Sequence, residues 1–405
     1  MSDVGRFSIP AGSAAGGHVL PPRLGHLAAP ARHRRRRIPI GAVLGLVGAV
    51  IVGAAFAGTQ LAANLRFDDA EEMHEAARAD ALDTRSSLQQ EVDALTSTIT
   101  SADALITGNT GILMDSVPLT DVETAIAEAD ETTASATDLT TTAVPQSEEK
   151  PGWFWELFGT AEHLDAQTRA ADDLNDDMGS MTQDVSDADA RLVAAGSTAI
   201  VSAAAAVPAF EAAHISAKNL DIIAMRTAAE DIATLSTLDD DAVTRFTALQ
   251  AAAAQVVASQ DAELAEKAGP LLGARLEIEA FARSLAPGVL LEFDWAPIVN
   301  GVGTNGSMGG YTTWWWDEPD RSVILLSNSV AEQWPAERSK ALVAHEVGHA
   351  ISVKCEDMYD SSTQDSIEKW ATAWAISMGF TDDANGVWAY GYPPESYIAA
   401  AGGCR

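Results

Sequence analysis

The feature that most constrains this chain is residues 38–58, a run of 21 apolar and small residues without a charged side chain. About 20 such residues span the hydrocarbon core of a bilayer, so the run predicts one transmembrane helix over residues 38–59. Four arginines at 34–37 stand directly before it. Because positive charge stays on the cytoplasmic side, we expect a single-pass anchor in the cell membrane, with the N-terminus inside and the C-terminal body outside.

Two other interpretations of this run stay open. It could be a buried helix of a soluble protein, or the core of a signal peptide cleaved near Ala55-Phe56-Ala57, although the stretch before it is long for a signal peptide. Residues 1–37 are rich in Gly, Ala and Pro and carry seven arginines and one acid. We expect them to form a disordered, basic cytoplasmic tail.

Charge is divided unevenly along the chain. The formal net charge is −33, and residues 38–405 carry 57 acidic against 18 basic side chains. A surface this acidic repels phosphate groups, so we expect no nucleic-acid partner. The two cysteines are too few for a disulfide-dense scaffold or a zinc module with four cysteine ligands.

Residues 60–286 are expected to form an extracytoplasmic helical or coiled-coil stalk. Breaks at 108–118 and 145–152 separate two runs that keep the apolar spacing of a heptad seam. The two seams can pack on each other as an antiparallel hairpin or on a second chain, so a homo-oligomer built through them stays open. The seam residues are Leu88, Val92, Leu95, Ile99, Ala102 and Ile106, then Ala171, Leu174, Met178, Met181, Val185, Ala188 and Leu192.

A short aromatic island, made of Trp153, Phe154, Trp155 and Phe158, follows the second break. One interpretation is a contact with a partner or with a membrane surface. The other, which we favour, is a cap that plugs the end of a helical bundle.

Beyond Pro287 the composition changes, because eight of the ten tryptophans lie there. Aromatic burial on that scale implies a compact core, so we expect a separate domain over residues 287–405. The fold class predicted for the whole chain is therefore mainly α, with a transmembrane helix, a helical stalk and a small α+β C-terminal domain.

The elements of this domain can be predicted from local patterns. Residues 290–295 predict a short strand, and residues 311–316 with Arg321–Ser327 predict a hairpin. Pro335 can open a helix, which we expect to run to about Val353.

That helix carries His345-Glu346-Val347-Gly348-His349, an H-E-x-x-H motif. One helical turn separates the two histidines, so both imidazoles can reach one ion, and neutral imidazole suits Zn²⁺. Glu346 lies about 100° round the helix from His345, where it can approach a water on the ion without ligating the metal. Zn²⁺ lowers the pKa of such a water to about 7.

A catalytic zinc site needs a third protein ligand, and we assign Glu368. It lies on a predicted helix over 364–378, at the edge of an apolar face and beside small residues that allow close packing on the motif helix. Glu356, Asp357 and Asp360 are expected to lie in a solvated connecting loop.

The motif and Glu368, nineteen residues after His349, resemble the gluzincin zinc metallopeptidases, in particular the small variants with a glutamate in an E-x-x-A-like helix. The resemblance covers about residues 287–405. It implies a zincin-like domain in which His345, His349 and Glu368 bind zinc. It also implies that Glu346 is the general base and acid in the attack of zinc-bound water on a peptide bond.

The same resemblance implies that Arg321–Ser327 is an edge strand on which a peptide substrate pairs through backbone hydrogen bonds. It does not assign the residue that stabilises the oxyanion. The candidates for that role are Tyr359, Tyr390, Tyr392 and Tyr397.

Cys355 follows the motif helix and Cys404 is the penultimate residue. In an exported chain such a pair suggests a disulfide, which would contribute about 4 kcal/mol in the chain-entropy description. A free thiol pair, or Cys355 as a metal ligand, are the alternatives.

The sequence therefore predicts a membrane-anchored zinc metallopeptidase that acts on a peptide or protein substrate outside the membrane. The alternative is a non-enzymatic surface protein whose stalk binds a partner and whose zinc site is structural or vestigial. An open fourth position on the zinc favours catalysis, whereas a groove filled by Trp314, Trp315 and Trp316 favours the alternative.

Overall fold

The computed structural model describes residues 40–114, 116–303 and 306–405. The predicted cytoplasmic tail, residues 1–37, lies outside these ranges. The described chain is mainly helical, with one small three-stranded sheet near the C-terminus.

The first helix, α1 (Ile40–Gly108), has 69 residues and is about 100 Å long. Its side chains are exposed from residue 44 to residue 58, and many of them are large and apolar. Burial begins further along, at Ala63, Phe67 and Ala70. From residue 40 onward, the predicted transmembrane segment and the start of the predicted stalk therefore form one continuous helix.

Two described helices, α1 and α3 (Phe154–Ala213), are long and apolar enough to cross a membrane. Their apolar windows differ in burial, at 6% of residues in α1 and 39% in α3. Packing within the protein thus covers part of the apolar window of α3, whereas nearly all of the window of α1 is left uncovered.

The helices α1 and α3 run parallel to each other. Arg66 pairs with Asp165, and Thr84 donates to Asn175 at 2.6 Å, so positions increase together along both helices. Between them α2 (Ser116–Thr140) runs back, and residues 141–153 return the chain to the start of α1, where Gln60 donates to Gly152 O at 3.1 Å. Because of this long return, the two seams pack in parallel. The antiparallel hairpin, one of the two arrangements that the sequence left open, does not form.

The predicted heptad residues do pack on each other. Leu88, Leu95, Met178, Val185 and Leu192 are buried in one core, together with residues of α2. Three further helices follow, α4 (Asn219–Glu230), α5 (Asp240–Glu266) and α6 (Leu272–Leu285). The apolar seams of α1 and α3 are thus buried by packing between helices of this one chain.

The sheet contains β1 (Leu290–Ala296), β2 (Gly310–Trp314) and β3 (Arg321–Ser327), in the order β1-β3-β2. β1 is parallel to β3 and β2 is antiparallel to it. The expectation that Arg321–Ser327 is an edge strand is therefore wrong. β3 is the central strand, because its backbone is hydrogen-bonded to a neighbour on each side, and the edge formed by the hairpin is β2.

Helices cover the sheet. After α7 (Asn328–Glu332) come α8 (Glu337–Ser352), α9 (Gln364–Ser377), α10 (Val387–Tyr390) and α11 (Glu395–Ala401). Short 3₁₀ helices at Val353–Met358 and Asp383–Asn385 connect them. The core is apolar and aromatic, and its largest members are Phe293, Trp370 and Trp374.

The bundle and this core are joined by buried polar contacts. The Asn219 side-chain amide at the start of α4 donates to Leu290 O at 3.1 Å and to Ser322 O at 2.9 Å. Ile278 and Ala282 of α6 pack in the core of the sheet. The proposed domain division at 286/287 stays a prediction. α6 lies before this division but contributes to the core formed by the residues after it.

Candidate metal centre

The predicted motif helix is α8, and it lies almost entirely inside the protein. Residues 341–352 are all buried, including His345, Glu346 and His349. Polar side chains at such positions need partners or a ligand, because burial without them is costly. The two histidines point the same way, with their Nε2 atoms 3.2 Å apart.

Glu368 of α9 completes a triangle with the two histidines. Its Oε2 lies 3.2 Å from His345 Nε2 and 3.1 Å from His349 Nε2. A tetrahedral zinc ion with bonds of about 2.0–2.1 Å holds its donor atoms about 3.3–3.4 Å apart. The three donor atoms therefore have the chemistry and the spacing of one face of a tetrahedral zinc site.

In the part of the chain that the structure describes, such a site has three protein donors and no fourth of the usual kinds. Among the described residues, no further His, Cys, Asp or Glu joins the cluster of His345, His349 and Glu368. Three protein ligands with a free position are the arrangement typical of catalytic zinc, whereas structural zinc sites are closed by four.

Close packing of two helices brings Glu368 to the histidines. A Cβ atom built on Gly348 of α8 would lie 2.8 Å from Ala371 O and 3.0 Å from Ala371 Cα. Only glycine lets α8 and α9 approach this closely. At the start of α9, the Thr363 side chain accepts a hydrogen bond from Ser366 N at 3.3 Å and so caps the helix that carries Glu368.

A second set of hydrogen bonds orients the donor groups. Gln364 Nε2 donates to Glu368 Oε1 at 2.8 Å, which leaves Oε2 to face the histidines. The Thr372 hydroxyl donates to Glu368 O at 2.9 Å and lies 3.3 Å from His345 Nδ1. Since its proton is used there, this hydroxyl can accept from Nδ1–H, so that His345 Nε2 keeps its lone pair for a metal.

Glu346 lies beside the triangle without joining it. Its Oε2 accepts a hydrogen bond of 2.7 Å from the Thr312 hydroxyl on β2. Burial raises the pKa of Glu346, and the nearby charge of His345 and the bond from Thr312 offset part of that rise. A carboxylate held at a fixed orientation, with a raised pKa, is the kind of group that accepts and returns a proton.

The carboxyl group of Glu368 has the opposite electrostatic balance. Burial acts to raise its pKa, but hydrogen bonds and charge from His345 and His349 outweigh burial, so the pKa of Glu368 lies well below its usual range. Glu368 is therefore ionised, as a metal ligand must be.

Two aromatic rings flank the histidines. Trp314 is stacked on His349, with ring centroids 5.3 Å apart, and Tyr390 is stacked on His345 at 5.9 Å. Burial, together with the charge of Glu368 and a hydrogen bond to it, raises the pKa of Tyr390 to about 12. Tyr390 therefore presents a neutral hydroxyl group at the site.

The other three tyrosine candidates lie away from the triangle. Tyr359 is stacked on Trp370, with ring centroids 4.6 Å apart, and the Tyr397 hydroxyl is 2.9 Å from Ser366 Oγ. Tyr392 is largely exposed. Of the four candidates, Tyr390 is the one that the structure brings to the histidines.

The remaining predicted residues also have defined places. Glu356, Asp357 and Asp360 are exposed on the segment after α8 and stay out of the cluster. Cys355 is bonded to Cys404, so it is not a metal ligand. This bond ties the C-terminus to the end of the motif helix.

Sequence reasoning missed Thr312, Gly310 and Gly386. Thr312 holds Glu346, and a Cβ atom on Gly310 would overlap the carboxylate of Glu346. A Cβ atom on Gly386 would overlap the Thr372 hydroxyl and crowd His345 Nδ1. Gly386 has a φ of 103°, which glycine adopts readily, but nothing in the local sequence linked it or the other two to the motif.

Comparison of the chain with protein-family models, with curated proteins and with solved structures finds no match. Functional inference for this chain therefore rests on the chemistry of the site.

Proposed function

We propose that the chain is a membrane-anchored zinc metallopeptidase, in keeping with the resemblance of its motif to the gluzincins. One observation carries the proposal: His345, His349 and Glu368 converge to within 3.2 Å of one another, next to the buried carboxylate of Glu346. When bound, Zn²⁺ supplies a water acidic enough to lose its proton near neutral pH and an electrophile for a carbonyl oxygen.

The residues of the chain divide the remaining work. Glu346 takes the proton of the attacking water and returns it to the leaving amine, while Thr312 holds its carboxylate in place. Tyr390 donates a hydrogen bond to the oxygen on which negative charge develops, since its hydroxyl stays protonated at neutral pH. Thr372 and Gln364 keep His345 and Glu368 oriented.

A peptide or protein substrate fits the neighbourhood of β2. Among the described strands, β2 pairs only with β3, so its other edge has backbone groups free for an extended peptide. Thr312 of the same strand contacts Glu346, which brings a peptide paired along β2 close to the general base.

The proposed location is the outer face of a cell membrane, with a single span over 38–59. Support comes from the exposed apolar side chains 44–58 of α1 and from the four arginines at 34–37. In this arrangement the bundle formed by α1, α2 and α3 is a stalk that holds the metal centre away from the bilayer.

The alternative function, a non-enzymatic surface protein with a structural or vestigial zinc site, is favoured by the stacking of Trp314 on His349. A bulky ring beside this histidine leaves less room for a substrate. The two functions differ in whether the zinc-loaded chain turns over peptides.

The test combines metal analysis with a peptide-library cleavage assay on the full chain, with and without a chelator. We expect one zinc ion per chain and cleavage that chelation abolishes. Glu346→Gln should keep the zinc and lower kcat by about 10²–10⁴-fold, because it removes only the proton acceptor. Glu356→Gln, an exposed acid near the end of α8, is the matched control and should cleave as the wild type does.

Two outcomes would contradict the proposal. Undiminished cleavage by Glu346→Gln would refute the role of Glu346. A chain that binds zinc tightly yet cleaves no member of the library would favour the non-enzymatic alternative.

A further inference from the structure

We propose that Trp153, Trp155 and Phe158, here named the aromatic patch, rest on the outer surface of a zwitterionic phospholipid bilayer. The inference rests on the membrane span proposed above and is independent of the peptidase activity. It gives the bundle a second attachment to the membrane, besides the span itself.

The patch is one face of the aromatic island, whose other face is packed. Phe154 and Leu157 turn inward and contact Ala63, Phe67 and Ala70 of α1. This inward face behaves as the cap that the sequence favoured. The outward face does not fit a cap, because Trp153 and Trp155 are 52% and 54% exposed and their rings are stacked 5.2 Å apart.

The position of the patch along the axis of α1 matches the headgroup layer of the proposed bilayer. The ring centroid of Phe56 lies 6.5 Å from that of Trp153 and 5.4 Å from that of Phe154. Phe56 is two residues, or about 3 Å, before the end of the apolar run at residue 58. The headgroup layer is about 5–8 Å thick on each side of the hydrocarbon core, so the rings lie at that level.

The charged residues of α1 stand further out. The first charged side chain of α1 beyond the apolar run is Arg66, ten residues or about 15 Å past Phe56. Between them α1 carries no charged side chain, and its polar residues are the uncharged Thr59, Gln60 and Asn64. Indole rings with a free N–H suit such a boundary, and among the described contacts neither Trp153 nor Trp155 uses its N–H within the protein.

The charge around the patch selects the lipid. Glu148, Glu149 and Glu156 lie close to it in the sequence, and the single cation there, Lys150, pairs with Asp68. Acidic neighbours repel anionic headgroups, so binding relies on burial of aromatic rings and not on attraction between charges. A bilayer of phosphatidylcholine is therefore the partner that fits.

The experiment places the full chain in phosphatidylcholine vesicles brominated either near the headgroup or near the chain ends. Lipid brominated near the headgroup should quench part of the tryptophan fluorescence, and lipid brominated at the chain ends should quench less. Trp153→Phe with Trp155→Phe should lose most of that quenching. The matched control Trp388→Phe removes an exposed indole of α10 and should keep it.

Two further arms separate the possible failures. Extraction with alkaline carbonate tests the span alone, and release of the chain from the vesicles would overturn both the span and the patch. Retention of the chain without headgroup-level quenching, or with equal quenching in the double variant, would overturn the patch alone. Replacing part of the phosphatidylcholine with phosphatidylglycerol should not increase quenching, and an increase would overturn the choice of a zwitterionic surface.

Discussion

At the scale of single residues, the site depends on glycines, whose lack of a side chain leaves room for its polar groups. Gly310 leaves room for the carboxylate of Glu346, and Gly386 leaves room for the Thr372 hydroxyl beside His345. In each case the glycine belongs to a different element from the residue that it accommodates. Close backbone approach therefore sets the positions of Glu346, the proposed proton acceptor, and of His345, a proposed zinc ligand.

Gly310→Ala tests this dependence. The added methyl group overlaps the Glu346 carboxylate, so that either β2 or the carboxylate must move. We expect kcat to fall by about tenfold or more with zinc binding retained, because misplacement by a fraction of an ångström weakens proton transfer. The measurement is cleavage rate against zinc content. Gly273→Ala on α6, where a Cβ atom meets open space, is the control and should leave both unchanged.

Site residues close together in the sequence could be predicted, whereas those far apart in the sequence could not. His345, Glu346 and His349 could be predicted because one helix carries all three at a fixed spacing. Glu368 could be predicted because small residues beside it allow a close helix pair. Thr312 is 34 residues before Glu346 on another element, and only the tertiary fold brings the two together.

At the scale of elements, the candidate zinc site is built on two helices held at a fixed separation. Gly348 of α8 meets the backbone of Ala371 on α9, and this contact sets the distance from the two histidines to Glu368. The helices themselves were predicted from the sequence to within a few residues, as were the three strands. The pairing of β2 with β3 was also predicted, as a hairpin. The pairing of β1 along the other side of β3 was not, since it depends on how the connections cross.

Gly348→Ala is expected to weaken the zinc site and destabilise the fold together. Its methyl group would lie 2.8 Å from Ala371 O, so α8 and α9 must separate or deform. Overpacking of this kind costs about 1–3 kcal/mol. Zinc affinity measured by competition with a chromogenic chelator should fall, and thermal unfolding should begin at a lower temperature. Unchanged affinity would mean that Glu368 is positioned by other contacts.

The C-terminal segment is fastened to the rest of the C-terminal core by a disulfide and a hydrogen bond. The bond between Cys355 and Cys404 closes a segment with a sequence separation of 49, and Trp374 Nε1 donates to Cys404 O at 3.0 Å. Cys404→Ser should lower the free energy of unfolding by about 4 kcal/mol under oxidising conditions. The double variant with Cys355→Ser should match the single one, and a reductant should bring the wild type to the same melting temperature. If a reductant left the melting temperature of the wild type unchanged, packing alone would hold the segment in place.

At the scale of the whole molecule, a buried chain of charges joins the bundle to the C-terminal core. Lys267, directly after α5, has its Nζ 3.3 Å from Glu263 of α5 and 3.1 Å from Glu279 of α6. Glu279 is fully buried and also accepts from Trp295 Nε1 of β1 at 3.2 Å. The sequence could indicate helices here, but not that their charges would meet in one buried network, since these residues come from three elements.

Glu279→Gln should therefore affect the connection between the two parts. Burial lowers the pKa of Arg283 and only Glu279 offsets it, so the variant leaves Arg283 without its compensating charge and Lys267 with Glu263 alone. Breaking a buried pair by removing one partner costs about 3–5 kcal/mol. Eight of the ten tryptophans lie beyond residue 287, so near-UV circular dichroism reports on the C-terminal core and far-UV on the helical bundle.

We expect the near-UV transition of Glu279→Gln to move to lower temperature and to separate from the far-UV transition, because the core loses its charged tie to α5. Asp261→Asn, at an exposed acid of α5, should leave both transitions where they are in the wild type. Coincident transitions in the Glu279 variant, shifted by equal amounts, would mean that the bundle and the core unfold as one unit. An unshifted near-UV transition would mean that the buried charges do not stabilise the attachment of the C-terminal core to the bundle.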